Sequence, residues 1–133
     1  MPADVIPESH RDLLDAKGIA HLASLGPDGE PQSHPVWYDF LDGRLLISTT
    51  KSRQKYRNVS RDPRVSVSIT DPDDPYRYLE IRGRVESIDD DPEKKFIDSL
   101  AQKYLGEDEY PQKQPDADRV VFKIDAEHTA TMG

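Results

Sequence analysis

The sequence predicts a mainly β protein, a small barrel or open barrel of about six mostly antiparallel strands with peripheral helices. Three observations carry this reading. Short alternating or apolar runs recur between turn signals along the chain. Two Asp-Gly pairs, Asp28-Gly29 and Asp42-Gly43, supply the residues that tight hairpins need. No segment has the length and period of a long amphipathic helix.

In chain order, Pro7 followed by ESHRDLLDAKG reads as a short helix, with Leu13 and Leu14 turned inward and Gly18 beyond its end. IAHLASLG (19–26) is apolar on both alternating sides, which predicts a strand buried on both faces. PDGE (27–30) turns the chain into QSHPVWYDF (32–40), a strand in which Pro35 cannot donate to a ladder and so marks an edge or bulge. Asp42-Gly43 leads on to RLLISTT (44–50), and two successive hairpin signals predict an antiparallel meander. Ser52 can cap a helix running to about Ser60, and Asp62-Pro63 stops it. RVSVSIT (64–70) alternates Val65, Val67 and Ile69 with Ser66 and Ser68, the pattern of a half-buried strand. After the acidic loop DPDDP (71–75), YRYLEIRGRVESI (76–88) forms a long strand, with a bulge or close approach expected at Gly83. Asp91 and Pro92 open a second helix, whose stripe is Phe96, Leu100, Lys103 and Tyr104 and which Gly106 closes. RVVFKID (119–125) is the last expected strand, and AEHTATMG reads as a short tail.

The length fits one domain over residues 1–133, small enough that a partner subunit would add useful burial. The chain has no cysteine, which excludes disulfides, thiolate metal sites and thiol nucleophiles and fits a reducing cytoplasm. MPADVIPESHRDLL has neither a basic nor an apolar leader region, and no apolar run approaches the ~18 residues of a membrane span. No pair of histidines has metal-ligand spacing, so no metal is expected. The formal net charge of −8 argues against a general nucleic-acid binder.

One segment departs from that charge. KSRQKYRNVSRDPR (51–64) holds Lys51, Arg53, Lys55, Arg57, Arg61 and Arg64, a third of the 18 cations in the chain. On a helix, Arg53, Arg57 and Arg61 fall at i, i+4 and i+8, where like charges repel. Lys51 and Arg53 sit at a helix start, where the dipole is already positive. An anion relieves both faults, since the free N–H groups of a helix N-terminus form an anion site. Thr49, Thr50 and Ser52 add hydroxyls. A solvated basic face is the plain alternative, and a nucleic-acid backbone a third, which would need stacking aromatics and more basic surface.

DGEPQSHPVWYDFLDGRLLISTTKSRQKYRNVSRDPRVSVSI, then YLEIRGRVESI, KYLGEDEYP and RVVFKI, resemble the pyridoxamine-5′-phosphate-oxidase-like split β-barrel family over roughly residues 10–125. More narrowly, they resemble its branch of oxidoreductases that use the deazaflavin coenzyme F420. The resemblance implies a homodimer with cofactor sites at the subunit interface. It implies a cofactor phosphate on Ser48, Thr49, Thr50, Lys51, Arg53 and Lys55, with Arg57 and Asn58 matching the family's Arg-Asn pair. The tricyclic ring would lie along Gln32, Ser33, His34, Pro35, Val36 and Trp37, and Tyr76, Arg77 and Tyr78 would complete the partner's pocket. True pyridoxamine phosphate oxidases carry a further C-terminal segment with substrate-binding arginines, and HTATMG offers no counterpart.

The residues fit this independently. A flat ring needs an apolar wall, and Trp37 and Tyr38 supply rigid apolar surface. A reducing cofactor of this type does the hard chemistry, which accounts for the lack of a triad or paired carboxylates. His34 and Tyr38 are the candidate proton donors. His21 reads as a hydrogen-bonded core histidine, while His10 and His128 read as solvated. The expected function is hydride transfer from reduced coenzyme F420 to an electron-poor organic substrate such as an enone, a quinone or a tetrapyrrole-like molecule. FMN is the alternative cofactor, and a non-catalytic flavin or deazaflavin carrier the alternative class. Arg57 and Arg61 are available to a longer anionic tail, which would suit coenzyme F420 better than FMN.

Overall fold

The computed structural model describes residues 5–111 and 117–133. A 3₁₀ helix (Glu8–Leu14) precedes β1 (Ala20–Leu25), β2 (Pro31–Val36), β3 (Asp39–Leu41) and β4 (Arg44–Thr50). Helix α1 (Gln54–Arg61) leads to β5 (Arg64–Asp71) and the long β6 (Asp74–Asp90), and helix α2 (Lys95–Leu105) to β7 (Arg119–Met132).

The strands form one sheet in the order β2-β1-β5-β6-β7-β4-β3, with every ladder antiparallel. Its two outermost strands, β2 and β3, are consecutive in the chain, and only Trp37 and Tyr38 separate them. Three peptide steps span at most ~11 Å, so the sheet has to curl until its edges nearly meet. The two edges form no ladder with each other, which leaves the barrel split. Its interior is filled by apolar side chains, among them Leu22, Ile47, Val67, Ile69, Leu79, Ile81, Phe122 and Ile124.

The expected 32–40 strand is therefore two strands, and the described residues hold seven rather than about six. The break comes where Tyr38 stops serving a ladder. Its N–H donates to Tyr104 Oη (3.2 Å) and its carbonyl accepts from Lys103 Nζ (2.8 Å), both on α2. The expected meander changes accordingly, since β2 pairs with β1 and β3 with β4. Between β3 and β4, Asp42 and Gly43 take φ of 55° and 78°, the two positive values a two-residue hairpin loop requires.

Other elements shift for local reasons. The N-terminal helix is 3₁₀ and closes at Asp15 rather than near Gly18. β1 is buried on one face only, through Ala20, Leu22 and Ser24, and His21 faces out, so it is not a core histidine. α1 starts with Arg53 as N-cap and no side-chain cap, because the Ser52 hydroxyl bonds Thr50 Oγ1 instead (2.9 Å). Asp62 ends α1 as expected, donating its N–H to the Asn58 carbonyl (2.8 Å). Asp91 does cap α2, but from a turn further back, its carboxylate accepting from the N–H groups of Lys95 and Phe96 (3.0 Å each).

The largest difference is at the C-terminus. The expected tail is strand, with β7 paired to β6 as far as Met132↔Tyr78. A bulge passes Glu127 between the pairs Gly83↔Ala126 and Arg82↔His128 and breaks the alternation at that point. His10 is not solvated: it is buried and its Nε2 lies 3.0 Å from the Met132 carbonyl. Thr129 Oγ1 donates to the Val5 carbonyl (2.7 Å), so the two ends of the chain are tied together and the core extends beyond residues 10–125.

Candidate functional site

A cleft of about 290 Å³ opens beside the end of β4, where the chain turns into α1. Ser48, Thr49, Thr50, Arg53 and Lys55 line one side of it. The register of β7 brings Arg119 directly opposite Thr50, and Arg119 joins the same wall. Its Nη1 donates to Ser48 Oγ (3.1 Å), and its guanidinium lies 5.3 Å from the centre of the Tyr110 ring. The other side is apolar and includes Pro35, Val36, Trp37, Ile97 and Leu100.

Trp37 is fixed in orientation. It stacks on Tyr104 with centroids 4.8 Å apart and planes 9° from parallel, and it meets Tyr110 edge-on at 5.9 Å. Tyr104 is anchored by its hydroxyl, which donates to the Gly18 carbonyl (2.7 Å). Burial pushes that phenol up to about 12. Lys103 packs over the Tyr38 and Tyr104 rings and bonds the Tyr38 carbonyl, and burial lowers its pKa below the ordinary lysine value. The α2 stripe thus holds the strand crossover that presents Trp37.

Electrostatically the cleft is one-sided. Among the described residues, neither Arg53 nor Lys55 has an acidic partner and no carboxylate lines the cleft. Burial, then the neighbouring Arg53 and Arg119, lower the Lys55 pKa. Arg119 is lowered mainly by burial as well, with Arg53 adding to it. α1 begins above this cluster with no side-chain cap and no acid in its first turn, which leaves first-turn N–H groups to an anion or water. Three converging cations beside an aromatic wall suit a flat apolar molecule that carries an anionic group.

Of the residues singled out in the sequence, Pro35, Val36, Trp37, Ser48, Thr49, Thr50, Arg53 and Lys55 come together here. Others do not. Lys51 turns to Asp90 (3.3 Å), in a separate depression. Arg57 reaches back to the Ser52 carbonyl (3.0 Å) and Gln54 Oε1 (2.8 Å), and Arg61 to the Leu25 carbonyl (2.9 Å). The expected anion stripe is thus engaged with its own backbone. Ser33 is exposed on the outer face of edge strand β2. Gln32 faces α1, where its Oε1 accepts from Asn58 (2.9 Å), and His34 lies near Lys55 without forming the cleft surface. Tyr76, Arg77 and Tyr78 sit near the start of β6, away from the cleft; Arg77 bonds Asp12, Asp71 and the Ser9 carbonyl, while Tyr76 is 78% exposed. The sequence reading missed Arg119, Tyr110, Ile97 and Leu100. Nothing local marks Arg119 as a site residue, and only the β4–β7 register brings it there.

Two expected roles give way to structural ones. Tyr38 is fully buried, its hydroxyl donates to the Leu13 carbonyl (2.6 Å), and burial raises its pKa further from neutrality. It cannot reach a substrate as a proton donor. Tyr38→Phe should cost ~0.5–1.5 kcal/mol of stability, read by urea denaturation, with ligand binding in the cleft unchanged. Asn58 is 0% exposed and ties α1 to the barrel, its Nδ2 donating to Ser24 Oγ (3.0 Å) and Gln32 Oε1 and its Oδ1 accepting from Gln54 (2.8 Å). Asn58→Ala strands these buried partners and should cost ~1–3 kcal/mol in the same measurement.

The sequence model of the pyridoxamine 5′-phosphate oxidase family matches residues 6–133. The chain belongs to that family. Within it, the chain is similar to a solved F420 reductase at 38% identity, with a TM-score of 0.84 over 94% of this chain and 98% of that one. It is also similar to a conserved hypothetical protein from Mycobacterium tuberculosis, at 27% identity and a TM-score of 0.74 over 96% of this chain and 85% of that one. The general stress protein 26 of Bacillus anthracis shares the fold at 20% identity and a TM-score of 0.70, over 94% of this chain and 92% of that one. The split barrel is thus the family fold, and oxidoreductase chemistry is the class that membership supports. No helix among the described residues is long and apolar enough to cross a membrane.

Proposed function

We propose that this protein is an oxidoreductase that binds the deazaflavin coenzyme F420 in the cleft beside β4 and α1. The carrying observation is the convergence of Arg53, Lys55 and Arg119, without a carboxylate among the described residues, against the apolar wall of Pro35, Val36 and Trp37. The 38% identity to a protein known as an F420 reductase supports the choice of coenzyme. When bound, the reduced deazaflavin supplies a hydride for an electron-poor organic acceptor such as an enone, a quinone or a tetrapyrrole-like molecule.

The residues of the chain would bind, orient and shield. Arg53, Lys55 and the N-terminus of α1 hold the phosphate, with the Thr49 and Thr50 side chains beside it. Trp37, clamped between Tyr104 and Tyr110, gives the ring a fixed surface, and Ile97 and Leu100 exclude water from the same wall. A second copy of the chain closes the open side in this reading. Tyr76 and Tyr78 are offered for it, on a strand start that the Arg77 bonds hold in place. The cysteine-free chain fits a cytoplasmic setting.

FMN is the second reading, and a specific observation favours it. Arg57 and Arg61 are engaged with backbone carbonyls, so the cleft cations suffice for one phosphate but form no track for a polyglutamate tail. Fluorescence titration with both cofactors decides between them. Micromolar binding of coenzyme F420, with oxidation of its reduced form by a panel of activated alkenes, is the expected result. Binding of FMN alone would overturn the assignment, and F420 binding without turnover would leave a carrier.

A further inference from the structure

His34 lies on β2, directly opposite Leu22 of β1, on the side of the strand that faces α1. Its Nδ1 is buried and has no hydrogen-bond partner among the described residues. Such a group is costly to leave alone, and native structures rarely do so without a reason. On its own strand, the neighbours on the same side are Gln32, already bonded to Asn58, and Val36. From β1 it meets Leu22, while His21 points outward. From α1 and its N-cap come the charges that act on it, Lys55 and Arg53. Among the described residues, no carboxylate acts on it. Burial first, then these two cations, hold its pKa below the ordinary imidazole value and favour the uncharged ring.

We infer that His34 is a proton-linked member of the anion site: an anion seated against Arg53 and Lys55 draws a proton onto its imidazole. The inference rests on reading the cleft as an anion site. The balance is simple. The bound anion cancels the field that keeps the proton off, one proton enters from solvent, and nothing is oxidised or reduced. Protonation makes both ring nitrogens donors, and the partnerless Nδ1 then carries an N–H in a region that has gained negative charge. The sign follows from linkage. Binding raises the His34 pKa, so the complex holds more protons than the free protein between the two pKa values. Affinity therefore climbs as pH falls through that window and levels off below the pKa of the free protein. Each unit of upward shift is worth about tenfold in affinity.

The test uses the full chain with histidine side chains labelled for NMR and sulfate as the probe, because sulfate keeps its charge across the range. His34 is titrated in sodium chloride and again in saturating sulfate at equal ionic strength. The expected result is a His34 titration below the ordinary imidazole value in chloride and an upward move in sulfate. If sulfate shifts the backbone amides of residues 49–55 but leaves the His34 titration in place, the coupling is wrong and the anion site stands. If it shifts no amide there, the anion site itself fails and the coupling with it. The variant His34→Gln gives an independent check. Its sulfate affinity, read from the amides of residues 49–55, should gain less than the wild type as pH falls from about 8 through the window, by up to about tenfold for each unit of His34 shift. An equal gain in both proteins would overturn the inference.

Discussion

Lys55→Ala should weaken cofactor binding by ~1.5–3 kcal/mol, roughly a 10- to 150-fold rise in Kd, if Lys55 makes a charge-assisted hydrogen bond to the phosphate. The free protein should not lose stability in step. Lys55 is half-buried, has no acidic partner among the described residues, and is disfavoured as a cation by burial and by Arg53 and Arg119. Removing its charge takes away repulsion in the empty cleft and attraction in the filled one. Fluorescence titration and urea denaturation of the same variant read the two effects separately. The salt dependence of binding should also flatten, since one fewer cation meets the anion. Unchanged affinity in this variant would return Lys55 to a solvated helix face, the plain alternative for the whole basic segment.

The second large effect falls far from the cleft. Gly83→Ala should cost about 3 kcal/mol or more, by overpacking against atoms that cannot yield. A Cβ at this position would overlap the Asp125 carbonyl oxygen and press on Ala126 Cα at 3.3 Å. Both belong to the backbone of β7, so no side-chain rotation relieves the clash. Gly83 pairs with Ala126 beside the bulge at Glu127, where β7 changes register and continues to Met132. The damage should therefore reach the last turns of the chain, including the His10 to Met132 and Thr129 to Val5 contacts. A fall in the urea midpoint at constant m-value, with early loss of amide protection over residues 127–132, is the expected observation. An alanine variant as stable as the wild type would show that β6 and β7 can separate here without loss.

Gly83 also shows how a sequence feature can be legible while its meaning is not. A glycine inside a strand of apolar alternation announces a close approach. It does not say which backbone approaches. Because Glu127 is skipped in the pairing, AEHTATMG loses its alternation and reads as a tail although it is strand. His10 reads as solvated for the same reason, since its partner carbonyl is 122 residues away. His21 fails in the opposite sense. Both sides of IAHLASL are apolar in composition, yet only the Ala20, Leu22 and Ser24 side meets the core.

What the sequence determined by itself is local. The alternation of RVSVSIT, the positive-φ pair Asp42-Gly43, the Asp62-Pro63 stop and the Gly106 closure each rest on a preference of a few neighbouring residues, and each is met. The cationic turn at the head of α1 is local in the same sense, whereas the Pro-Val-Trp wall beside it was implied only by the family resemblance. The tertiary structure alone decided which cations share a space. Strand pairing carries Arg119 across to Thr50, turns Lys51 outward to Asp90, and gives Arg61 the Leu25 carbonyl to hold. It also buries Tyr38 and leaves the His34 Nδ1 without a partner. These outcomes depend on contacts between residues tens of positions apart, made only when β2 and β3, two residues apart in the chain, close the two edges of one sheet.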